Sequence, residues 1–289
     1  MTNRDRLRLT IAVIVVIAAI IALINMPGPS RSRTSTLATT AGRRAGPSSA
    51  ASQRQVPSKI PSPPQLPGKW RLIFNSTFDR RSLNLRQWCK GFYCANGITR
   101  GDNPDEQECY SPSQVSLTGS ALAITAIARR SICDHKAQPY ESGMIMTYTK
   151  FSFTYGYMEA RIWLPPGPDG IADWPAFWAV GNSWPKDGEI DVLEGLGGHA
   201  CVHYITHHGT NPGTCVDGTF ADGWHVFAAD WEPHWVRFYY DGREVFDVTG
   251  KTTSAPMFLV LNMALATAIT RPDTAPATME VQYVRVWQH

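Results

Sequence analysis

The sequence predicts an all-β fold, a sandwich of two antiparallel sheets, for residues 69–289. Short runs rich in β-branched and aromatic residues alternate there with Gly, Pro, Asn and Asp, and no long stretch has helical periodicity. Asp241–Gly242 joins two such runs as a tight hairpin turn. No Phe, Trp or Tyr precedes Trp70, so a packed core begins near Lys69.

The predicted strands follow one another at short intervals. Alternation and turn signals place them at Gln114–Ala126, Tyr155–Leu164, Glu189–Leu193, Trp224–Trp231, Trp235–Tyr240, Glu244–Val248 and Met279–Trp287. The segment is long enough to bury a core without the help of a metal or a partner chain. We therefore expect a single monomeric domain.

The first 68 residues have a different composition. Leu9–Ile24 is apolar except for Thr10 and follows three arginines, the pattern of a secretory signal or signal anchor. Because no clear cleavage site follows the run, the sequence favours an uncleaved transmembrane anchor within residues 1–26, with a removed signal peptide as the alternative. Residues 27–68, rich in Pro, Ser, Thr and Arg, are expected to form a flexible linker. The domain would then lie outside the cytoplasm, anchored to the membrane or secreted.

The net charge of +3 conceals an asymmetry. Residues 1–68 carry nine Lys and Arg against one acid, whereas residues 69–289 carry 18 against 23. A mildly acidic domain without a basic stripe argues against nucleic acid as its main ligand. A neutral substrate fits this charge better.

All six cysteines fall in the predicted domain. An even number suits an oxidising compartment and three disulfides, although the sequence permits many connectivities and free thiols are the alternative. Pairing of neighbours along the chain gives Cys89–Cys94, Cys109–Cys133 and Cys201–Cys215. No C-x-x-C pair occurs, which disfavours a zinc site.

The segment DGEIDVLEG, residues 187–195, places several carboxylates in one β-type run. In a regular strand Glu189 and Asp191 share a face, whereas Glu194 points the opposite way. A β-bulge at Val192–Leu193 would return Glu194 to the face of the other two. We therefore predict a bulge and three acids along one groove.

Two glutamates on one face can perform glycoside hydrolysis with retention of configuration. That reaction needs a carboxylate nucleophile and a carboxylic acid on either side of the scissile bond. Close like charges raise the pKa of one carboxyl and keep it protonated near neutrality.

The hexapeptide EIDVLE resembles the bulged catalytic signature of glycoside hydrolase family 16, the laminarinase-like β-glucanases. Further family landmarks follow in order: YESGMIMTYTKFSFTYGYMEARIWLP, WPAFWAVG, GWHVFAADWEPHWVRFYYDG, PMFLVLNMALA and MEVQYVRVW. The resemblance spans Trp70 to Trp287 and implies a concanavalin A-like jelly roll. It also implies Glu189 as nucleophile, Asp191 as its helper and Glu194 as acid/base.

Further residues are candidates for substrate binding. Sugar-binding grooves combine flat aromatic rings with hydrogen-bonding groups. Trp174 and Trp178 match family tryptophans near the cleavage point, and Trp184 lies close enough to the acid motif to line the same groove. Glu159 and Arg161, which alternate on one strand, resemble family residues that hydrogen-bond sugar hydroxyls, with a structural ion pair as the alternative.

The chain also departs from the family pattern, mainly where substrate would bind. Glu106 and Tyr110 keep the expected character, but Gln114 replaces a usual Asn and Cys109 replaces an aromatic residue. The sequence therefore does not determine which sugar the subsites on the glycone side bind.

Histidines recur every four residues at His199, His203 and His207, and His203 is expected to hydrogen-bond in the cleft. A metal is not expected there, because no matching ligand pattern accompanies these residues. The resemblance does allow a structural calcium away from the site.

Together these features predict an endo-acting retaining hydrolase of β-1,3-glucan or mixed β-1,3/1,4-glucan. The alternatives are a transglycosylase acting on cell-envelope glycan and a glycan-binding module without catalysis.

Overall fold

The computed structural model describes residues 63, 66–95, 97–101, 103–206, 208–266 and 274–289. The apolar run Leu9–Ile24 and most of the predicted linker lie outside these residues, so the anchor and the domain boundaries remain predictions. Within the described part of the chain, no helix has the length and apolar character needed to cross a bilayer.

The described chain is built almost wholly of strands. Their bounds are β1 Arg71–Thr77, β2 Cys89–Lys90, β3 Glu108–Tyr110, β4 Val115–Leu117, β5 Leu122–Ala126, β6 Ser131–Cys133, β7 Lys136–Gln138, β8 Tyr140–Ser142, β9 Met144–Met146, β10 Gly156–Leu164, β11 Pro166–Gly167, β12 Gly170–Ile171, β13 Trp174–Gly181, β14 Glu189–Leu196, β15 His199–Ile205, β16 Gly213–Val216, β17 Gly223–Glu232, β18 Trp235–Tyr240, β19 Arg243–Thr249, β20 Met257–Ala264 and β21 Ala277–Gln288. Two short 3-10 turns occupy Phe92–Cys94 and Pro112–Gln114.

Two large antiparallel sheets form the domain, which confirms the predicted all-β sandwich. The eight-stranded sheet has the order β19-β18-β17-β10-β21-β5-β4, with β1 also paired to β21. The seven-stranded sheet has the order β16-β15-β14-β13-β20-β9-β2. Hairpins of consecutive strands, such as β17-β18-β19 and β13-β14-β15-β16, are joined in each sheet to strands distant in sequence, an arrangement typical of a jelly roll.

The core lies between the two sheets, because each contributes one apolar face. In β10, Met158, Ala160 and Ile162 are buried in the main hydrophobic cluster. Phe177 of β13 and Leu261 of β20 enter the same cluster from the seven-stranded sheet. The alternate residues of these strands therefore point to the two outer faces of the sandwich.

Most predicted strands agree with the structure to within a few residues, but Gln114–Ala126 is not one strand. It consists of the end of a 3-10 turn, β4 and β5, which pair as a hairpin. Between β4 and β5 Gly119 has φ 96°, a conformation that favours glycine and reverses the chain. The prediction overlooked this turn because apolar residues flank it on both sides.

Leu261 tests the contribution of the core. It is fully buried on β20, between β13 and β9, so Leu261→Ala should lower the free energy of unfolding by about 3 kcal/mol through lost burial and a residual cavity. Urea unfolding measures this change. Leu85→Ala, at a side chain that is 64% exposed, is the matched control and should change it by less than about 0.5 kcal/mol. Similar losses in both variants would contradict this account of the core.

Candidate active site

The catalytic motif lies on β14, and the predicted bulge is present there. Against β15, Asp191 pairs with His203 and Glu194 with Cys201, so three residue steps on β14 match two on its neighbour. Against β13, Leu193 pairs with Phe177 and Asp191 with Trp178, which leaves Val192 as the extra residue.

The bulge reverses the alternation of β14. Val192 and Leu193 are consecutive and both are buried in the main core. Asp191 and Glu194 on either side of them therefore point away from the core, as does Glu189 two residues earlier. We call this outer face of the seven-stranded sheet the site face.

Glu189 and Asp191 form a hydrogen-bonded pair of carboxyls. Burial, followed by the charge of Glu194, raises the pKa of Glu189 to about 8, although hydrogen bonds with Asp191 and Trp184 act in the opposite direction. Burial, followed by the charges of Glu189 and Glu194, raises the pKa of Asp191 well above its usual value. Burial therefore favours the protonated form of Asp191, which donates a hydrogen bond to Glu189.

Both oxygens of Glu194 have partners. The indole N–H of Trp174 donates to Oε1 at 3.1 Å. Oε2 lies 2.5 Å from Nδ1 of His203, which is almost fully buried. Oε1 accepts the indole hydrogen, and the hydrogen bond between Oε2 and Nδ1 can carry its proton on either partner, according to the form of the imidazole ring. The predicted hydrogen bond of His203 is therefore present beside the acids, and its contact with substrate remains a prediction.

Trp178 is held by a chain of buried hydrogen bonds. Its indole N–H donates to Oδ1 of Asn262 at 2.8 Å, and Nδ2 of Asn262 donates to the hydroxyl of Tyr110 at 3.0 Å. Tyr110 in turn hydrogen-bonds to Glu108. This chain fixes the orientation of the indole ring beside Asp191, with which Trp178 pairs across the strands.

The comparisons with known proteins agree with this geometry. A family model described as glycosyl hydrolases family 16 matches residues 105–285. The chain belongs to this family. Among solved structures, the endo-beta-1,3-glucanase from Pyrococcus furiosus superposes with a TM-score of 0.66 at 26% identity, covering 76% of this chain and 94% of that one.

Two curated relatives extend the comparison. Glucan endo-1,3-beta-glucosidase A1 of Niallia circulans is 29% identical over 283 residues, which cover 82% of this chain and 40% of the relative. Endo-1,3-1,4-beta-glycanase ExsH of Rhizobium meliloti (strain 1021) is 27% identical over 248 residues, which cover 75% and 52%. The chain spans about half the length of these relatives.

The three tryptophans predicted from the family 16 resemblance all lie at the site. Trp174 bonds to Glu194, Trp178 lies beside Asp191, and Trp184 bonds to Glu189. Trp178 and Trp184 are half-buried, so part of each ring faces solvent. Sugar contacts of these rings remain predictions.

Glu106 lies at the far end of the chain of bonds that begins at Trp178. It hydrogen-bonds to Glu108, whose Oε2 also accepts the N–H of Leu265 at 2.9 Å. Burial raises the pKa of Glu108 to about 7, while its hydrogen bonds oppose the rise. Glu106 therefore supports the site from behind Trp178 in the structure, and its predicted contact with sugar stays a prediction.

The predicted binding role of Glu159 and Arg161 is wrong. Both lie on β10 of the eight-stranded sheet, on the side opposite Met158 and Ala160 of the core, so the whole sandwich separates them from Glu189. Glu159 forms an ion pair at 3.6 Å with Arg285, not with Arg161. Arg161 instead hydrogen-bonds to Gln282 and packs over the ring of Trp224.

The three predicted disulfides are confirmed. They join Cys89 to Cys94, Cys109 to Cys133 and Cys201 to Cys215. Cys109 therefore departs from the family 16 pattern because it anchors the β6–β7 hairpin. Gln114, the other departure, donates to Glu141 at 3.3 Å. The three bridges indicate an oxidising, extracytoplasmic compartment.

Sequence reasoning missed Glu108 and Asn262. Each is a polar residue in an otherwise apolar buried strand, and that contrast is the signal that could have found them.

One group of acids and histidine in the described residues has the spacing of metal ligands. Asp191, Glu194 and His203 offer atoms within 4.8 Å of one another. These three residues and Glu189 form one group, which we call the carboxyl cluster. Asp191 is hydrogen-bonded to Glu189, and Glu194 is hydrogen-bonded to His203. Of the other two histidines in the series predicted from the sequence, His199 is exposed and His207 lies outside the described residues. The absence of a metal here and the structural calcium both remain predictions.

The carboxyl cluster should make stability depend on pH. The pKa of Glu189 is raised in the folded state, so its favourable contribution is present below about pH 4.5 and is lost as the pH rises toward 8. A glutamine does not ionise, so Glu189→Gln avoids the destabilisation that a charged Glu189 causes at high pH. The variant should have a Tm higher than that of the wild type by roughly 5 °C at pH 8, with a smaller difference at pH 4.5. Thermal unfolding followed by circular dichroism at both pH values measures this. Asp247→Asn, at an exposed acid of β19, is the control and should show no such pH-dependent gain. A Tm for Glu189→Gln below that of the wild type at pH 8 would contradict the conclusion that ionised Glu189 destabilises the fold.

Proposed function

We propose that this domain is an endo-acting retaining glycoside hydrolase that cleaves β-1,3-glucan or mixed β-1,3/1,4-glucan by double displacement. The observation that carries the proposal is the bulge at Val192, which puts Glu189 and Glu194 on one face of β14. The names of the two relatives, a glucan endo-1,3-beta-glucosidase and an endo-1,3-1,4-beta-glycanase, support β-glucan as substrate.

In the first step the Glu189 carboxylate attacks the anomeric carbon of the sugar, and the bond to the leaving oxygen breaks. Glu194 gives its proton to that oxygen, so the leaving chain departs as an alcohol. The product is a covalent glycosyl ester on Glu189. Asp191 donates a hydrogen bond to Glu189, which helps this carboxylate to leave again in the second step.

In the second step Glu194, now ionised, takes a proton from water, and the oxygen of that water attacks the anomeric carbon. Two inversions give net retention. The hydrogen bond from Trp174 and the contact with His203 hold both oxygens of Glu194 in place through its change of charge. Tight positioning of this kind is a main source of catalytic rate.

The identity of the substrate is tested with a panel of polymers. The purified domain should release oligosaccharides of several lengths from β-1,3-glucan or mixed-linkage glucan. It should release little from acidic polysaccharide, because the acids Glu189, Asp191 and Glu194 would repel a polyanion, and galactan completes the panel as a neutral polymer with a different sugar. Mass spectrometry of the products measures this. Products longer than the starting oligosaccharide would favour the transglycosylase. Binding without any cleavage would favour the glycan-binding module and contradict the proposal.

The assignment of Glu194 is tested by chemical rescue. Glu194→Ala should lose about 10³-fold in rate on unactivated glucan, because the leaving oxygen is no longer protonated. With an activated aryl β-glycoside, added azide should restore turnover, and NMR should identify a β-glycosyl azide. Glu159→Ala, at a buried acid on the opposite sheet, is the control and should gain no azide product. An α-azide would contradict retention.

We also propose that Leu9–Ile24 holds the domain at the outer side of a membrane, on the tether of residues 27–68. The three disulfides support the outer compartment, because such bonds persist in oxidising surroundings.

A further inference from the structure

Tyr93 is an exposed aromatic ring at the edge of the site face. It lies in the 3-10 turn Phe92–Cys94, and its side chain is 43% exposed. Its ring lies 5.1 Å from that of Tyr148 and 6.5 Å from that of Phe258, both in edge-on arrangements. Phe258 is buried and Tyr148 is half-buried, so Tyr93 is the most exposed ring of these three.

A continuous row of paired residues joins Tyr93 to the catalytic motif. Glu189 of β14 pairs with Val180 of β13, and Val180 pairs with Phe258 of β20. Residues paired in this way project from the same face of a sheet. Trp184, which bonds to Glu189, packs on the same hydrophobic cluster as Phe258. The ring of Tyr93 therefore stands at the far end of a row that begins at the nucleophile.

The turn that carries Tyr93 is fixed before any ligand binds. Tyr93 has φ 46° and Cys94 has φ 60°, in the left-handed region that residues with a side chain rarely adopt. The disulfide between Cys94 and Cys89 ties this turn to β2, which pairs with β9 of the site sheet. Strained backbone persists where the surrounding structure enforces it, and such places are often functional. The Cys89–Cys94 disulfide and the contact with Phe258 therefore hold the ring of Tyr93 in one orientation.

We propose that Tyr93 is a sugar-binding platform of the cleft, distant from the cleaved bond. Its ring would stack on the apolar face of a neutral β-linked glucose residue. Neighbouring strands are about 4.8 Å apart, close to the length of one sugar residue in an extended glucan, so the platform lies about two to three residues from the reacting one. This inference rests on the proposed function.

The dependence of rate on substrate length tests the platform. For the wild type, kcat/KM on β-1,3-glucan oligosaccharides should rise with each added sugar until the chain reaches Tyr93. Tyr93→Ala should remove the last part of this rise and lower kcat/KM on long oligosaccharides by about tenfold, chiefly through KM. On the shortest cleaved oligosaccharides the variant should equal the wild type.

Two control variants make the test specific. Tyr93→Phe keeps the ring and should retain most of the gain with length, while Trp224→Ala removes an aromatic side chain from the opposite sheet and should leave the gain intact. Equal losses for Tyr93→Ala at every length, or no loss at any length, would overturn the platform while leaving glucan hydrolysis established. A wild-type domain that cleaves no β-glucan would overturn the proposed function, and the platform with it.

Discussion

The chemistry of this domain depends on one extra residue in a strand. Without Val192 in the bulge, the pleat of β14 would direct Glu194 into the apolar core and away from Glu189. A buried carboxylate without partners is costly, so the two requirements of packing and catalysis would conflict. The bulge satisfies both, because two consecutive apolar side chains fill the core and the acids on either side of them share the outer face.

Glu189, Asp191 and Glu194 share a face, so their mutual repulsion and desolvation determine which of these carboxyls carry protons. Burial favours the protonated form of Asp191, which donates a hydrogen bond to Glu189, and Glu194 is held between Trp174 and His203. Each carboxyl therefore has a different environment although all three stand within six residues of one strand. Carboxylates in unlike environments are the usual basis for separate nucleophile and acid roles.

Much of this arrangement follows from the sequence. The odd offset between Asp191 and Glu194 predicts the bulge, and proximity along the chain gives the correct disulfides. Alternation also shows that Glu159 and Arg161 share a face, but it cannot show which sheet they occupy or which way that face points. The wrong assignment of these two residues has that cause, because strand order depends on pairings between segments far apart in sequence.

Tyr93 and Asn262 illustrate the same limit at finer scale. The exposure of Tyr93 follows from a strained turn closed by Cys89 and Cys94, and the role of Asn262 follows from two neighbours that lie 84 and 152 residues away along the chain. Local patterns carry no information on such distant partners.

The separation of roles between the two sheets bears on how the chain can change over evolutionary time. The strands that carry Glu189, Asp191, Glu194 and His203 all belong to the seven-stranded sheet. We therefore expect the outer face of the eight-stranded sheet, where Arg161 lies, to be constrained by folding and solubility more than by bond cleavage. A sandwich organised in this way can keep its fold at 26% identity, as the superposition on the glucanase from Pyrococcus furiosus shows.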